Sequence, residues 1–176
     1  MNVKTIRQTK SKITSILPNA HTSEIKIMSE NGDVYEYDYL RQRSQPQCSS
    51  ISSTKVIQAG NISFLVYTLC SDHTLKLYRD EKEVFEMPIN TLNFSNVVLF
   101  SAEDDVVVIS VSTTDADKFD VYRIFNVLSK NEDEIIMKRL LRLVTYDGEG
   151  IHTGNIMNFG YVKNGLFVGY EDGSVI

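Results

Sequence analysis

The chain has 176 residues, of which 42% are hydrophobic and 23% are charged, and its formal net charge at pH 7 is −5. This length normally holds one domain, and the composition is that of a globular protein. The negative charge gives no general attraction to nucleic acid or to anionic membranes, and no apolar stretch reaches the ~18 residues that span a bilayer.

Four segments of the chain share one pattern: an apolar run, a tight turn and a short strand in which polar and apolar residues alternate. The segments are residues 24–39, 62–78, 106–125 and 166–176, and their turn residues are Gly32, His73, Asp117 and Gly173. An aromatic residue follows the first three turns at one common spacing, as Tyr37, Tyr78 and Tyr122. Repeats of ~40–45 residues with four strands each are typical of the blades of WD40-type β-propellers. We therefore expect an all-β fold, a partial WD40-type β-propeller of about four blades whose ring is not closed.

The first blade is predicted within residues 1–45. Its strands are expected at residues 12–17, 24–28 and 33–39. Asn31-Gly32 separates the last two strands and favours a hairpin turn, because both residue types accept positive φ. The chain holds basic residues and no acid before Glu24, which also fits a mitochondrial presequence; the alternative is the first inner strand of this blade.

The second blade is predicted within residues 46–88. Residues 41–53 are polar and are interpreted as a surface loop with room for a poor outer strand. The apolar run 62–69 predicts one strand that is buried on both faces. A turn at Ser71-Asp72-His73 leads into two further strands, which are expected at residues 74–78 and 83–87.

The third and fourth blades are predicted within residues 89–143 and 144–176. Their strands are expected at residues 96–100, 106–111 and 119–125, at 134–140 as an outer strand or a short helical turn, and at 155–161, 166–170 and 174–176. A blade that stops there indicates either part of a longer propeller or half of a split propeller completed by another chain. Apolar strands such as 106–109 then lack a neighbour, so we expect the isolated chain to be poorly soluble or only partly folded.

Two motifs combine residue types that are common in enzyme sites, but their spacing favours turns and loops. Ser71-Asp72-His73 holds the three residue types of a hydrolase triad, yet adjacent residues on a turn cannot converge on one substrate. Gly148-Glu149-Gly150, followed by Gly154, fits neither the dinucleotide nor the Walker pattern of phosphate binding. We therefore expect no catalytic residue, no cofactor-binding residue and no enzymatic activity.

The candidate metal ligands are equally dispersed. The three histidines share no ligand spacing; they are His21, His73 and His152. The acidic clusters at residues 103–105 and 132–134 lack the alternate spacing and the turn glycine of a calcium loop, so we expect solvated loops, with contact to a basic partner as the alternative. Cys48 and Cys70 are too few for a disulfide framework and fit a reducing compartment. No metal site and no cofactor are predicted.

Loops and one basic cluster are the predicted contact regions. The polar loops expected to dock partners are residues 41–53, 101–105 and 130–133. A basic cluster is formed by Lys138, Arg139 and Arg142. This cluster keeps a second interpretation open, an RNA-associated WD40 subunit of a ribosome-assembly or RNA-processing complex.

Three segments in the later part of the chain carry a family resemblance. They are EMPINTLNFS at residues 86–95, FDVYR at 119–123 and LFVGYEDGSV at 166–175. In this order they resemble the ASTRA-associated WD40 protein family of fungi, whose animal relative is the guanine-nucleotide-binding-protein β-subunit-like protein. The resemblance extends over residues 62–176.

The resemblance implies a non-catalytic WD40 scaffold in the nucleus. The family is linked to chromatin remodelling and to the maturation of kinases related to phosphatidylinositol 3-kinase. The partners implied are protein subunits of an ASTRA-type complex, with co-chaperone and AAA+ ATPase components. No membrane and no direct nucleic-acid contact are expected.

Overall fold

The computed structural model describes residues 11–18, 23–38, 40–41, 43–91, 95–129, 134–144, 154–162 and 165–176, with the backbone alone for 43–49. These residues form fourteen β-strands and no helix. Accordingly, the described part of the chain contains no helix with the length and hydrophobicity needed to cross a bilayer.

The strands form four antiparallel sheets, and each strand pairs with its neighbour along the chain. The first sheet contains β1 (Ile13–Pro18), β2 (Glu24–Ser29), β3 (Asp33–Asp38) and β4 (Arg43–Ser50). The second contains β5 (Val56–Ile62), β6 (Leu65–Cys70), β7 (Thr74–Arg79) and β8 (Lys82–Pro88). The third contains β9 (Val98–Ala102), β10 (Asp105–Val111), β11 (Phe119–Phe125) and β12 (Ile136–Val144). The fourth contains β13 (Ile156–Val162) and β14 (Gly165–Tyr170), with a bridge from Gly169 to Val175.

The first strand of each sheet lies beside the first strand of the next sheet. β1 contacts β5, β5 contacts β9, and β9 contacts β13. The sheets therefore diverge from one inner side, as the blades of a propeller do, and β4, β8 and β12 lie at the outer edges. The predicted all-β class, built from blade-like sheets of which none is closed, is confirmed.

The hydrophobic core lies between the sheets rather than within any one of them. Between the first and second sheets the buried residues are Leu17, Met28, Val34, Val56, Ala59 and Cys70. Between the second and third they include Leu65, Leu69, Leu75, Leu77, Val106, Val108, Tyr122 and Ile124. Between the third and fourth they are Ile109, Val111, Ile156, Phe159, Val168 and Tyr170.

β10 shows why the apolar runs do not alternate. All seven of its residues are buried. Val106 and Val108 face the second sheet, whereas Ile109 and Val111 face the fourth. A strand covered on both faces needs apolar residues at consecutive positions, which is the pattern that the sequence shows at 106–109.

The predicted turns largely hold. Gly32, His73 and Gly173 all have positive φ, at 79°, 64° and 86°. At residue 32 a side chain would also come within 2.7 Å of the Ser52 carbonyl oxygen, so this turn requires glycine. Asp117 differs, because its φ is not positive and a wider loop closes through the Lys118 N–H. The three repeated aromatic residues, Tyr37, Tyr78 and Tyr122, are buried.

One strand prediction was wrong. The run 62–69 is not one strand, since β5 ends at Ile62 and β6 begins at Leu65. The turn between them is made by Ser63 at a φ of 53°, a conformation that no glycine signals in the sequence. Residues 43–50 form β4, the outer strand for which the polar segment 41–53 left room. Of the two alternatives for residues 134–140, the outer strand is confirmed as β12.

Side-chain hydrogen bonds fasten successive inner strands to each other. The Asn96 amide donates to the Phe159 carbonyl at 2.9 Å and accepts from the Phe159 N–H at 2.7 Å. One sheet earlier, Gln58 accepts from the Val97 N–H at 3.3 Å and approaches the Val97 carbonyl at 3.5 Å. Each amide replaces water on two backbone groups, so the junction between two sheets can be buried without an unpaired peptide.

A single side-chain hydrogen bond also joins the first two sheets, where the Ser15 hydroxyl accepts from the Ala59 N–H at 2.9 Å. Gln58 is itself positioned by Tyr67, whose hydroxyl oxygen accepts from the Gln58 amide at 3.1 Å. Gly60 makes room for this ring, because a Cβ there would collide with Tyr67. Burial raises the pKa of Tyr67, which therefore stays a neutral phenol.

Asn96→Ala is expected to lower the free energy of unfolding by ~1–3 kcal/mol, because it leaves the Phe159 N–H and carbonyl without partners at a sheet junction. Urea denaturation measures the change. Asn61→Ala is the matched control: Asn61 is exposed on β5, and its replacement should stay within ~0.5 kcal/mol. Equal losses for the two variants would show that the amide bridge does not stabilise the junction.

Candidate functional site

The Ser71-Asp72-His73 segment is a turn and not a catalytic triad. The Thr74 hydroxyl donates to Asp72 at 2.6 Å, and the His73 ring bonds the Thr91 hydroxyl instead of Ser71. The Thr74 hydroxyl is the largest cause that holds the pKa of Asp72 below its usual value. A nucleophile, a base and an orienting acid do not converge here.

The fourth sheet repeats this turn. Asp172 accepts from the Ser174 N–H at 2.9 Å, and the Ser174 side chain holds the pKa of Asp172 below the usual range. Asp172 and Asp72 each lie one residue before a positive-φ residue, Gly173 and His73. The shared geometry shows that these aspartates close turns between strands.

The acidic cluster at residues 103–105 is part of a structural ion pair. Glu103 makes the β9–β10 turn with a φ of 57°, and Asp105 is buried. The Asp105 carboxylate lies 2.6 Å from Arg123 Nε and accepts from the Asn126 N–H at 2.9 Å. Its oxygens are therefore occupied by donors of this chain. No group of three or more metal-ligating side chains occurs among the described residues.

Cys70 is fully buried and has a free thiol close to the Ser52 and Thr68 hydroxyls. Several other predicted features lie outside the described residues. They are His21, His152, Gly148-Glu149-Gly150, Glu132 and Asp133, the loop 130–133 and the side chain of Cys48.

A crevice of about 320 Å³ lies between the first and second sheets. Its floor is apolar and is formed by Leu17, Met28, Val34, Ile51, Val66 and Tyr78. Its mouth is formed by Lys26, Phe64, Asp80 and Glu81. An apolar floor with a few charged groups at the rim is the usual character of a pocket that binds an apolar group.

The charges at the mouth are arranged asymmetrically. Lys26 is neutralised by Glu36, whose carboxylate lies 3.3 Å from the Lys26 Nζ. Asp80 and Glu81 form the β7–β8 turn, both with positive φ, at 49° and 66°. Residues other than glycine rarely have positive φ at two successive positions. The turn therefore holds two carboxylates beside the opening at some cost in backbone strain. The crevice can bind an apolar group, and its described lining residues include no nucleophile with an adjacent base.

No motif in the sequence indicated this crevice. Its walls come from β1, β2, β3, β6 and β7, and each contributes one or two residues of ordinary strand composition. Only the packing of two sheets brings them together. The predicted loop 41–53 contributes Ile51 to the floor, and its remaining side chains at 43–49 are not described.

Comparison with known proteins supports the predicted family resemblance. A Candida tropicalis protein named ASTRA-associated protein 1 is 26% identical over 178 residues, which is 98% of this chain and 49% of that protein. Proteins of the same name from Candida glabrata and Saccharomyces cerevisiae are 32% and 28% identical. They cover 68% and 88% of this chain, which spans 32% and 34% of their lengths.

The resemblance to the fungal ASTRA-associated proteins is thereby confirmed. The chain spans about half the length of the Candida tropicalis protein and about a third of the other two. No family model matches the chain.

Solved structures agree with the fold alone. The computationally designed Ika4 protein has a TM-score of 0.57 at 14% identity, and the match covers 100% of this chain and 97% of Ika4. The designed Ika8 protein has a TM-score of 0.58 at 15% identity, over 95% of this chain and 45% of Ika8. BamB of Moraxella catarrhalis, which has a propeller-like fold, matches with a TM-score of 0.51 at 15% identity over 90% of this chain and 40% of BamB.

Thr74→Val is expected to raise the pKa of Asp72 toward the ordinary value of 3.8, because it removes the largest cause of the lowering. In the natural chain the lowered pKa of Asp72 stabilises the folded state at pH values above the pKa that Asp72 has in the unfolded state. This stabilisation is lost as the pH falls through the pKa of the folded state. The stability difference between the two chains should therefore shrink on acidification.

NMR titration of the Asp72 carboxyl group measures this change. Ser174→Ala is the control, since it changes the corresponding turn of the fourth sheet and should leave the pKa of Asp72 unchanged. An Asp72 titration that is identical in Thr74→Val and the natural chain would contradict the turn geometry.

Val66→Leu is expected to stabilise the chain by ~0.8 kcal/mol, because the added methylene enters the crevice that Val66 lines. Val108→Leu is the matched control in a closed junction, where Val108 is fully buried and overpacking should cost ~1–3 kcal/mol. Thermal and urea unfolding distinguish the two. Destabilisation by both substitutions would mean that the crevice has no room for a side chain.

Proposed function

We propose that this chain is a non-catalytic scaffold that holds protein subunits of an ASTRA-type complex. The observation that carries the proposal is its similarity to three yeast proteins named ASTRA-associated protein 1, together with its blade-like sheets. The chain matches part of each relative, so the proposal concerns the contribution of this part to the assembly.

The architecture suits a docking role. Buried side chains between sheets and the amide bridges of Asn96 and Gln58 hold the inner strands in fixed relation. Turns and outer strands are then presented on a rigid body, and partners bind them without a large loss of conformational entropy. The crevice between the first two sheets adds an opening for an apolar side chain of a partner.

The residues that most resembled enzyme groups support a non-catalytic role. Asp72 closes a turn with Thr74, and Asp105 is paired with Arg123. Their side chains stabilise the sheets that carry the docking surfaces. We propose further that the complex acts in the nucleus, in chromatin remodelling and in the maturation of kinases related to phosphatidylinositol 3-kinase. On this proposal, co-chaperone and AAA+ ATPase subunits are among the partners, and the tyrosine-containing repeats are degenerate WD repeats.

The test is co-purification of the affinity-tagged chain from Saccharomyces cerevisiae, with quantitative mass spectrometry of the bound proteins. We expect enrichment of ASTRA subunits and of co-chaperone and AAA+ ATPase components, and nuclear fluorescence of a tagged copy. Leu75→Asp is the control, because a charge at this fully buried position unfolds the second sheet.

The comparison separates specific docking from capture of an unfolded chain. Enrichment that survives Leu75→Asp would reflect exposed apolar surface rather than a scaffold. Absence of ASTRA subunits from the natural chain, expressed at the same level, would refute the proposed assembly.

A further inference from the structure

β12, the outer strand of the third sheet, differs in composition from β8, the outer strand of the second sheet. Seven of its nine residues in succession are exposed, and four of these are large apolar residues. The exposed apolar residues are Ile136, Met137, Leu140 and Leu141. The other exposed residues are the cations Lys138, Arg139 and Arg142, and β12 contains no acid. Such a long apolar edge is rare in a sheet that has no partner.

β8 occupies the same position in the second sheet and has the protected composition of an ordinary edge. It exposes Lys82, Glu83 and Glu86, and it ends in a proline. Both glutamates form ion pairs with Lys76 of β7, at 3.1 Å for Glu83 and 2.7 Å for Glu86. Mixed charges and proline discourage pairing with a further strand. The contrast shows that exposed aliphatic residues are not a general requirement of the outer position.

β12 is nevertheless held firmly on its inner side. The buried carboxylate of Asp120 accepts from the Leu143 N–H at 2.8 Å and from the Tyr122 hydroxyl at 3.1 Å. Arg139 lies 3.7 Å from the same carboxylate and stacks over the Tyr122 ring. Burial, and next the Asp120 charge, raise the pKa of Tyr122, so its hydroxyl remains a donor. These contacts fix β12 on the side that faces β11.

The outer edge of β12 pairs with no strand among the described residues. Its backbone N–H and carbonyl groups therefore form a template for an added strand. Lys138 and Arg142 have no ion pair within the described part of the chain, whereas Arg139 is engaged with Asp120. An added strand would meet two available cations between aliphatic side chains.

We propose that β12 is a docking edge for an extended acidic segment of a partner protein, which joins the third sheet as an additional strand. β12 runs through an apolar pair, a cationic pair and a second apolar pair, so each of its faces carries both kinds of side chain. The segment therefore carries aliphatic and acidic residues in pairs, so that its carboxylates reach Lys138 and Arg142 while its aliphatic residues contact Ile136 and Leu140. This inference rests on the proposed scaffold function and specifies the chemistry of one partner.

Charge favours this occupant over two others. Pairing of β12 with β12 of a second copy would set three cations against three cations, and like charges on adjacent strands repel. A nucleic acid would meet the cations, but the exposed residues of β12 are aliphatic and provide no aromatic face for base stacking. An acidic and aliphatic segment satisfies the charges, the apolar side chains and the backbone together.

The test uses a fluorescein-labelled peptide in which pairs of valines and pairs of glutamates follow each other, nine residues long to match β12, in an anisotropy titration of the intact chain. We expect binding that falls about tenfold in Lys138→Glu/Arg142→Glu, where attraction becomes repulsion at two positions. Lys82→Glu on β8 is the control and should bind as the natural chain does. Circular dichroism and thermal unfolding confirm that each variant is folded, and Lys138→Ala/Arg142→Ala replaces the double reversal if it is not.

Three further probes test the mode of binding. The same peptide with alternate backbone amides methylated, and one with lysine in place of glutamate, should both lose binding, because they lack ladder donors or the complementary charge. A nine-nucleotide single-stranded RNA should bind more weakly than the acidic peptide. Equal binding of the methylated peptide would overturn strand addition, and preferential RNA binding would overturn the peptide partner.

Sedimentation velocity tests the second copy as the occupant. A dimer of the natural chain that Leu140→Glu dissociates would overturn the proposal. Co-purification separates the docking edge from the scaffold function. Failure of the peptide to bind, with ASTRA subunits still recovered, would reject only the docking edge; peptide binding without those subunits would reject only the scaffold.

Discussion

The whole structure depends on apolar contact between the faces of neighbouring sheets. The three clusters of buried hydrophobic residues lie in the junctions between successive sheets. The first sheet also buries Ile27, Tyr35 and Tyr37 on its other face. β10 expresses this dependence most strongly, since it is buried on both faces and belongs to two junctions at once. Hydrophobic burial provides the driving force, but it does not by itself specify the relative position of two sheets.

Position is specified by polar groups at the inner ends of the junctions. The Asn96 side chain contacts the backbone N–H and carbonyl of Phe159 on β13, and the Gln58 side chain contacts those of Val97, directly before β9. These bonds set a register that aliphatic contact alone would leave adjustable. With the inner strands fixed, variation is tolerated at the outer strands and turns. β8 and β12 illustrate this freedom, because strands at the same position carry a protected edge in one sheet and an exposed apolar, cationic edge in the other.

Strands and turns were predicted correctly where the residues of a short segment determine them. Alternating residues and positive-φ turns at Gly32 and Gly173 are local properties, and they located the central hairpins correctly. The division between β5 and β6 was missed because Ser63 adopts positive φ without a glycine or asparagine to announce it. β4 was expected only as a poor outer strand within a loop, because an outer strand has one neighbour and little burial to constrain its composition. The basic cluster was visible in the sequence, but its exposure beside four aliphatic residues was not.

The sequence by itself determined the class of the protein: all-β, built from repeated hairpins, and similar to the fungal ASTRA-associated family. These properties follow from residue order over a few positions, where side-chain alternation and turn conformation act. Only the tertiary structure decided which residues meet across a junction, which strand edge has no pairing strand in the described part of the chain and where the crevice opens. The physical reason is distance along the chain. Asn96 and Phe159 meet, and Val34 and Tyr78 line one crevice, only when whole sheets pack face to face. A pattern within a few residues cannot indicate such contacts.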